Sequence, residues 1–304
     1  MPRAGRPLTW SLCLLFLLIV YGGSEADTLV IGRVADDPTK YYKVLKPLLD
    51  YVVSHSHDLG VTGGSVTMTK NIEETVQLLK AGKLDWVTTG IVGALIYSEK
   101  TGAEIPLRTW RDGAPVYRTV FFTRHDSSIH SLGDLKGKRI AFQDPHSTTA
   151  YFIPLAILRG TGLRAVQLSS PKQKIAADEV GFVFAGNELN ISTWVQRGLA
   201  DVGAYNDQNW NNSQHNPDII KKDLQIFYRH KELPRMVEVF RKELDGKIKS
   251  RIKEVLLNAR DDAVGQQALK SYSNTAKFDE FKGEATEGLE ETRQMLKYVR
   301  HEIH

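Results

Sequence analysis

Short apolar segments rich in β-branched residues alternate with amphipathic helical patterns along most of the chain. Residues 28–34 are predicted to form the first strand, and residues 41–53 the helix after it, because apolar side chains recur there at helical spacing. Predicted strands at 66–69 and 84–89 then alternate with predicted helices at 72–81 and 91–100. This alternation predicts an α/β fold with mostly parallel sheets and helices on both faces.

Two crossings divide the predicted elements into two lobes. Residues 116–124 form one continuous strand pattern that is long enough to pass from the first lobe into the second, and residues 224–228 are predicted to pass back. The second lobe has predicted strands at 139–143, 180–184 and 201–205 and predicted helices at 148–158 and 190–197. Helical patterns at 242–257, 262–272 and 289–301 are expected to pack on the first lobe. The expected boundaries are residues 27–117 and 229–304 for the first lobe and residues 118–228 for the second.

Residues 1–26 have the order of a secretory signal peptide. Arg3 and Arg6 precede an apolar run at residues 10–21, and Ser24 and Ala26 stand at the two positions that a signal peptidase reads. The run is shorter than the roughly 20 apolar residues of a membrane-spanning helix, which disfavours the alternative of a membrane anchor. Cleavage after Ala26 and export to the periplasm are therefore expected.

The composition argues against several classes of function. Cys13, the single cysteine, lies in the apolar run, so a mature chain has no disulfide, thiolate nucleophile or cysteine-ligated metal. The net charge of +4 is small, and the 40 basic residues are spread among 36 acidic ones, unlike those of a nucleic-acid-binding surface. Serine-hydrolase, zinc-protease and P-loop motifs are absent from the sequence, so neither an enzyme nor a metal or cofactor is expected.

Three consecutive hydroxyl residues mark the strongest candidate binding site. Ser147, Thr148 and Thr149 follow a predicted strand and open a predicted helix, where backbone N–H groups have no partner within the helix. A helix cap requires only one hydroxyl, whereas three hydroxyls place several donors beside these N–H groups. The turn, which also contains His146, is therefore predicted to bind an anion without a lysine.

Other turns carry weaker candidates. Thr88 and Thr89 end a predicted strand, but threonine is also an ordinary strand residue. Tyr41 and Tyr42 begin a predicted helix, so at most one of them can face a cleft, and helical spacing does not decide which. Asn206 with Asp207, and Asn187 with Glu188, offer acceptors for a hydroxyl of a ligand but are equally expected as helix caps.

Two motifs resemble those of a known family. Residues 131–142 read Ser-Leu-Gly-Asp-Leu-Lys-Gly-Lys-Arg-Ile-Ala-Phe, and residues 144–149 read Asp-Pro-His-Ser-Thr-Thr. They are similar to the Ser-Leu-X-Asp-Leu-Lys-Gly-Lys and Asp-Pro-Gly-Ser-Thr-Ser-Gly runs of the PhnD-like phosphate, phosphite and phosphonate-binding proteins of ABC transporters. Further matches at residues 84–90, 182–186 and 198–207 extend the resemblance over nearly the whole mature chain. It implies a two-lobed type II periplasmic-binding-protein fold, with a two-stranded hinge.

The resemblance also implies which residues form the pocket. The hydroxyl turn of the family holds the oxygens on phosphorus, which corresponds here to Ser147, Thr148 and Thr149. The remaining candidates are Tyr41 or Tyr42, Thr88, Thr89, Asn206, Asp207, Glu188 and His146. The chain departs from the family where His146 and Ala150 replace glycines and where Glu188 stands at a position that is often histidine. Because a carboxylate repels an anion unless it gains a proton or meets a ligand amine, the substituent on phosphorus stays open.

The function that the resemblance implies is ligand capture for transport. The lobes would close around a small phosphorus oxyanion, either phosphonate, phosphite or phosphate, and the closed form would dock on the membrane permease of an ABC transporter. A monomer without a nucleic-acid partner is expected. The alternative is a periplasmic sensor that presents the bound state to a histidine kinase. An arsenite-sensing relative is disfavoured, because the mature chain lacks a cysteine to bind arsenic.

Overall fold

The computed structural model describes Met1, residues 27–35 and residues 37–302. Apart from Met1, the predicted signal peptide lies outside the described residues. No helix in the described part of the chain is long and apolar enough to cross a membrane. The same residues contain no group of three or more His, Cys, Asp or Glu side chains that could hold a metal ion.

The described strands fall into two large sheets and one small one. In chain order they are β1 (Asp27–Val34), β2 (Val61–Thr69), β3 (Trp86–Gly90), β4 (Glu104–Arg111), β5 (Val116–Tyr117), β6 (Thr119–Arg124), β7 (Arg139–Phe142), β8 (Arg164–Gln167), β9 (Glu179–Phe184), β10 (Val202–Asn206), β11 (Leu224–Arg229), β12 (Leu233–Pro234), β13 (Met236–Phe240) and β14 (Thr275–Glu280).

Helices cover both faces of each large sheet. They are α1 (Pro38–Ser54), α2 (Ile72–Lys80), α3 (Ile91–Thr101), α4 (Ile153–Gly160), α5 (Glu188–Gln196), α6 (Asp207–Trp210), α7 (Asp218–Lys221), α8 (Gly246–Asn258), α9 (Ala263–Ser271) and α10 (Glu284–Leu296). In α1 the apolar residues that recur at helical spacing, including Leu45, Leu48 and Leu49, are fully buried. The helical periodicity therefore identified the face that packs on the sheet.

The first lobe is built on a sheet with the order β14-β4-β13-β3-β1-β2. β1 runs parallel to β2 and β3, whereas β13 runs antiparallel to β3 and β4. Side chains of α1, α8 and α9 share one hydrophobic cluster with this sheet, while α2 and α3 belong to a second cluster. Segments from both ends of the chain therefore form one lobe, as predicted for the helices at 242–257 and 262–272, whereas α10 contacts α4 of the second lobe as well as α3.

The second lobe is built on a sheet with the order β11-β6-β10-β7-β9-β8. β10, β7, β9 and β8 are successively parallel. At one edge β6 is antiparallel to β10, and β11 is antiparallel to β6. The side chains of α4 belong to one hydrophobic cluster and those of α5 to another. Because the parallel strands end at the same edge, the turns after β7, β9 and β10 lie together there.

The chain crosses between the lobes at a two-stranded ladder in which β5 pairs with β12. The prediction of one continuous strand over residues 116–124 is wrong, because the strand is interrupted at Arg118. There the backbone N–H of Arg118 donates to Asp207 Oδ1 at 3.2 Å, and the carbonyl of Arg118 accepts from the N–H of Asp207 at 3.0 Å. This exchange with Asp207 separates the hinge strand β5 from β6.

The helix predicted at residues 148–158 begins with a wider turn. Thr148–Phe152 form a π-helical segment, and α4 starts only at Ile153. Pro154 has no N–H to donate to the carbonyl of Ala150, which instead accepts from the N–H of Gln143 at 3.1 Å. The wide turn places the hydroxyl residues at the end of β7 rather than on a regular helix.

Several strands lie where the sequence predicted none, namely β4, β8, β12, β13 and β14. β13 has the greatest effect on the architecture, because it lies between β3 and β4 in the first sheet. All five of its residues are buried, including Glu238 at 0% exposure. A charged residue in the middle of Met-Val-Glu-Val-Phe is not typical of a fully buried strand, and the prediction of a largely helical region after residue 234 missed it.

Candidate functional site

A cavity of about 530 Å³ lies between the two lobes, at the carboxyl ends of β1, β3, β7 and β10. It is lined by nearly all residues that the sequence marked as candidates. They are Tyr41, Thr88, Thr89, His146, Ser147, Thr148, Thr149, Glu188 and Asn206. Separate stretches of the chain therefore converge on one cleft, as expected for ligand sites of open α/β sheets.

The three residues of the hydroxyl turn have different surroundings. Ser147 is the N-cap, and its Oγ accepts from the N–H of Ala150 at 3.3 Å. Thr149 is buried, and its Oγ1 accepts from Asn206 Nδ2 at 3.3 Å. Thr148 faces the first lobe, where it lies beside Gly90 and the hydroxyl of Tyr117. Burial raises the pKa of Tyr117 to about 12, so its hydroxyl stays neutral and can donate at physiological pH.

The structure shows which tyrosine of α1 faces the cleft. Tyr41 lines the cavity, and its ring lies under the guanidinium of Arg33, whose Cζ is 3.9 Å from the ring centroid. Tyr42 is 48% exposed and lies outside the cavity lining. Consecutive helical residues point about 100° apart, so only one of the pair could reach the cleft.

Asp207 is the other candidate that lies outside the cavity lining. Its Oδ2 is 3.5 Å from Arg118 Nε, and its Oδ1 accepts from the N–H of Arg118. The neighbouring Asn206 lines the cavity and also caps α6, because its Oδ1 accepts from the N–H of Asn209 at 2.8 Å. Asp207 thus contributes to the hinge, whereas Asn206 combines the cap and the cavity positions that sequence reasoning treated as alternatives.

Glu188 lies on the second-lobe wall of the cavity within a small polar group. Its Oε1 accepts from Asn209 Nδ2 at 2.7 Å, and its Oε2 is 3.7 Å from His215 Nδ1. Asn187 is the N-cap of α5, with its Oδ1 accepting from the N–H of Asn190 at 2.8 Å. The carboxylate of Glu188 therefore already has a donor and a titratable imidazole beside it.

Sequence reasoning missed the arginines of the cleft. Arg33, at the end of β1, Arg111, at the end of β4, and Arg235, just before β13, all line the cavity, and together they are called the arginine wall. Burial lowers the pKa of Arg33 and of Arg235, and repulsion from Arg111 acts on both in the same direction. Arginine nevertheless stays protonated in proteins, so these side chains bring positive charge into a partly dehydrated site.

The arginine wall has few acidic neighbours of its own. Asp112 Oδ2 lies 3.3 Å from Arg235 Nη2 and 3.6 Å from Arg111 Nε. Arg33 has no such ion pair among the described residues, and its Nε donates to the carbonyl of Val34 at 3.3 Å. The cationic face of the first lobe thus lies across the cavity from the hydroxyl turn of the second lobe, an arrangement that suits an anion.

Replacing Gly90 with alanine is expected to weaken anion binding by about tenfold, since steric overpacking typically costs about 1–3 kcal/mol. A Cβ at this position would lie 2.6 Å from Thr148 Oγ1, so it would hold the lobes apart where they meet. The backbone itself tolerates alanine, because φ is −70°. Calorimetric titration of Gly90→Ala with the ligand of the wild-type protein measures the change.

Gly246→Ala is the matched control. Gly246 opens α8, and nothing lies within 4 Å of an added Cβ there. The control should bind like the wild type. Equal affinity of Gly90→Ala and Gly246→Ala would show that the contact between Gly90 and Thr148 does not limit closure of the lobes.

Comparisons with known proteins agree with this geometry. The sequence matches the family model for "ABC transporter, phosphonate, periplasmic substrate-binding protein" over residues 34–285. Over 188 residues it is 25% identical to the phosphonates-binding periplasmic protein of Escherichia coli (strain K12), which covers 60% of this chain and 52% of that protein. The alignment thus spans about half the length of this curated relative.

Solved structures extend the similarity to nearly the full described chain. The structure of XAC2383 from Xanthomonas citri bound to ATP is similar with a TM-score of 0.85 and 32% identity, covering 91% of this chain and 99% of that chain. PhnD1 from Prochlorococcus marinus (MIT 9301) in complex with methylphosphonate has a TM-score of 0.65 and 20% identity, covering 90% of this chain and 98% of that chain. The expected two-lobed type II periplasmic-binding-protein fold is confirmed. The chain belongs to the periplasmic substrate-binding proteins of phosphonate ABC transporters.

Proposed function

We propose that this protein captures a small phosphorus oxyanion, namely a phosphonate, phosphite or phosphate, and delivers it to the permease of an ABC transporter. The observation that supports the proposal is the pairing of the Ser147–Thr149 turn with the arginine wall across one cavity. Hydroxyls and backbone N–H groups of the turn suit phosphoryl oxygens, and guanidinium groups bind such oxygens through two parallel hydrogen bonds.

Ligand binding closes the lobes in this proposal. An oxyanion that is held by the second lobe through Ser147 and Thr148 gains the contacts with Arg33 only when the first lobe approaches. The ligand therefore favours the closed state by the free energy of these additional contacts. The ladder of β5 and β12 carries both crossings and absorbs the rotation, as expected for a hinge.

In this proposal the substituent on phosphorus lies next to Glu188, Asn209 and His215. These side chains lie on the second-lobe wall and offer a carboxylate, an amide and an imidazole. Such a group suits a substituent that donates hydrogen bonds, such as an amine or a hydroxyl. The carboxylate would repel a second anionic group placed against it.

A second candidate is a ligand with several linked phosphoryl groups. The Xanthomonas citri relative, 32% identical to this chain, has a solved structure bound to ATP. The observation in this protein that favours such a ligand is the number of guanidinium groups, since Arg33, Arg111 and Arg235 carry more N–H donors than the three oxygens of one phosphoryl group can use. ATP and diphosphate therefore belong among the ligands to be tested.

The export of the protein and its partner in the membrane follow from the proposed role in transport. Residues 1–26 would direct the chain through the inner membrane and be removed after Ala26. The mature chain would act as a periplasmic monomer without catalysis and meet the permease in its closed form. A sensor that presents the bound state to a histidine kinase has the same ligand chemistry, but the family match favours transport.

Calorimetric titration of residues 27–304 tests the proposed ligand class. Phosphate, phosphite, methylphosphonate, 2-aminoethylphosphonate, ATP, diphosphate and sulfate are titrated separately at one ionic strength. We expect tight binding of one phosphorus compound, because both walls of the cavity present donors to phosphoryl oxygens. Sulfate should bind weakly, because at neutral pH it has neither a hydroxyl group nor an organic substituent to place beside Glu188.

The outcomes separate the candidates. Selective binding of a single-phosphorus anion supports the leading proposal, and a preference of 2-aminoethylphosphonate over methylphosphonate places an amine near Glu188. Stronger binding of ATP or diphosphate favours the second candidate. Absence of heat with every phosphorus compound would contradict the oxyanion assignment.

A further inference from the structure

A buried acidic residue lies beneath the cavity, away from any direct contact with it. Glu238 is the central residue of β13 and has no exposed surface. No ion pair joins it to a basic side chain among the described residues. An isolated carboxylate in such a position is costly unless hydrogen bonds and opposite charges compensate it.

Hydrogen-bond donors surround this carboxylate. Trp86 Nε1 donates to Oε2 at 2.5 Å, and Oε1 accepts from Thr109 Oγ1 at 2.6 Å, from the Tyr272 hydroxyl at 2.8 Å and from Thr88 Oγ1 at 3.4 Å. Burial raises the pKa of Glu238, while the hydrogen bonds act in the opposite direction. An ionised carboxylate can accept from all four donors, whereas a protonated one loses acceptor capacity, so the hydrogen bonds offset part of the effect of burial.

The register of the first sheet places Glu238 between two arginines of the arginine wall. Glu238 pairs with Thr88 on β3, and Arg33 directly follows Gly32, which pairs with Val87, the residue before Thr88. On the other side Thr109 contacts Glu238, and Arg111 follows two residues later on the same face of β4. Because neighbouring strands are about 4.8 Å apart, Arg33 lies about two strand spacings from Glu238.

We propose that Glu238 is an internal counter-charge of the arginine wall, which reduces the positive potential of the empty cavity and thereby sets its affinity for anions. The inference rests on the proposed function, since it concerns the same cavity. A direct ion pair would occupy the N–H groups of a guanidinium, and a ligand would have to displace it. A carboxylate set about two strand spacings from Arg33 attracts the guanidinium groups and leaves their N–H donors free.

The counter-charge also limits how strongly the cavity binds anions. Its negative charge repels the ligand that the arginines attract, and within the low-polarity interior this repulsion acts over the distance of two strands. Thr88 lies between the cavity and the counter-charge. It lines the cavity, and its hydroxyl also belongs to the hydrogen-bonded group around Glu238. The charge of the ligand therefore determines how much Glu238 weakens binding.

Replacing Glu238 with glutamine is expected to strengthen binding of the methylphosphonate dianion by about a hundredfold, because at about 10 Å and an effective dielectric constant of about 20 one buried charge changes the affinity by about tenfold for each charge on the ligand. The gain should be smaller for dimethylphosphinate, a monoanion of similar size. Thermal unfolding of the unliganded variant should occur at a lower temperature, because the arginine wall loses its compensation. Calorimetry and thermal denaturation of wild type and variant at equal ionic strength provide both readouts.

Glu238→Asp is the matched control, since it disturbs the same hydrogen bonds and keeps the charge. It should also lower the unfolding temperature but leave the affinity near that of the wild type. Glu238→Met, which removes the charge at a similar side-chain length, replaces the glutamine variant if the latter does not fold. A residue with only a structural role would move stability and not the dependence of affinity on ligand charge.

The outcomes separate this inference from the proposed function. Unchanged or weaker dianion binding by the neutral variants overturns the counter-charge, whereas the proposed function survives as long as the wild type binds a phosphorus anion. A wild-type chain that binds none of the phosphorus anions contradicts the proposed function instead. In that case the counter-charge is tested by the rise in unfolding temperature that sulfate causes. This rise must be larger for E238Q than for the wild type and for E238D.

Discussion

Replacing Ser147 and Thr148 together with alanine is expected to weaken binding of the phosphorus anion by about a hundredfold or more. Each hydroxyl can donate one hydrogen bond to an anionic oxygen, and bonds to charged groups contribute about 1.5–3 kcal/mol each. Two such bonds therefore correspond to about two to four factors of ten in Kd. Calorimetric titration of the double variant with the ligand of the wild-type protein measures the loss.

Stability has to be followed in parallel, because Ser147 is also a helix cap. Its loss alone removes about 1 kcal/mol of helix stability. Ser131→Ala supplies the matched control, since Ser131 caps the Leu132–Leu135 turn and does not line the cavity. Both variants should show a small decrease in unfolding temperature, and only the double variant should lose affinity. If the double variant keeps its affinity, the hydroxyls of Ser147 and Thr148 do not contribute to binding. The arginine wall would then be the main binding surface for the anion.

The hydroxyl turn was predictable because its signal is local. Ser147, Thr148 and Thr149 are consecutive, and a strand pattern followed by a helix pattern places them at a helix start without any knowledge of the tertiary structure. The wide π-helical turn was not predictable from that pattern. It arises from Pro154 together with the hydrogen bond between Gln143 and Ala150, which depends on the strand before the turn.

The arginine wall lacked a comparable local signal. Arg33, Arg111 and Arg235 come from distant positions, and the chain has 40 basic residues, most of which carry no information about a site. Arg33 offered the one available hint, because it stands next to the end of an otherwise apolar strand that leads to a candidate turn. Their convergence depends on β13, whose insertion between β3 and β4 was not predicted.

Long-range polar contacts explain why sequence reasoning missed β13 and could not choose between Tyr41 and Tyr42. Glu238 is tolerated inside the sheet only because Trp86, Thr109 and Tyr272 supply donors from three other elements. Tyr41 and Tyr42 have the same chemistry, and only the position of Arg33 over one ring distinguishes them. In both cases the deciding contact joins residues far apart in the sequence, which periodicity does not report.

Replacing Arg33 with glutamine is expected to reduce affinity for the phosphorus anion by about a hundredfold. The guanidinium lies in the cavity with its N–H groups free of carboxylates, so a ligand gains a charge-assisted interaction of about 3 kcal/mol there. Arg33→Lys should restore only part of the loss, because an ammonium group retains the charge but not the planar pair of donors that lies over Tyr41. Calorimetry of the wild type and both variants with one ligand gives the ratios.

The change in stability distinguishes loss of a ligand contact from loss of the fold. Removing Arg33 relieves the cost of burying its charge and, to a smaller extent, repulsion from Arg111, so unfolding of the unliganded chain is not expected to occur at a lower temperature even though affinity falls. Arg124→Gln changes the total charge equally, but Arg124 is exposed and pairs with Asp126 away from the cavity. Equal loss of affinity in both variants would reduce the role of Arg33 to long-range attraction. A loss confined to Arg33→Gln places the effect in the cavity, because overall charge is the same in the two variants, and only partial recovery in Arg33→Lys then indicates a direct contact with the guanidinium group.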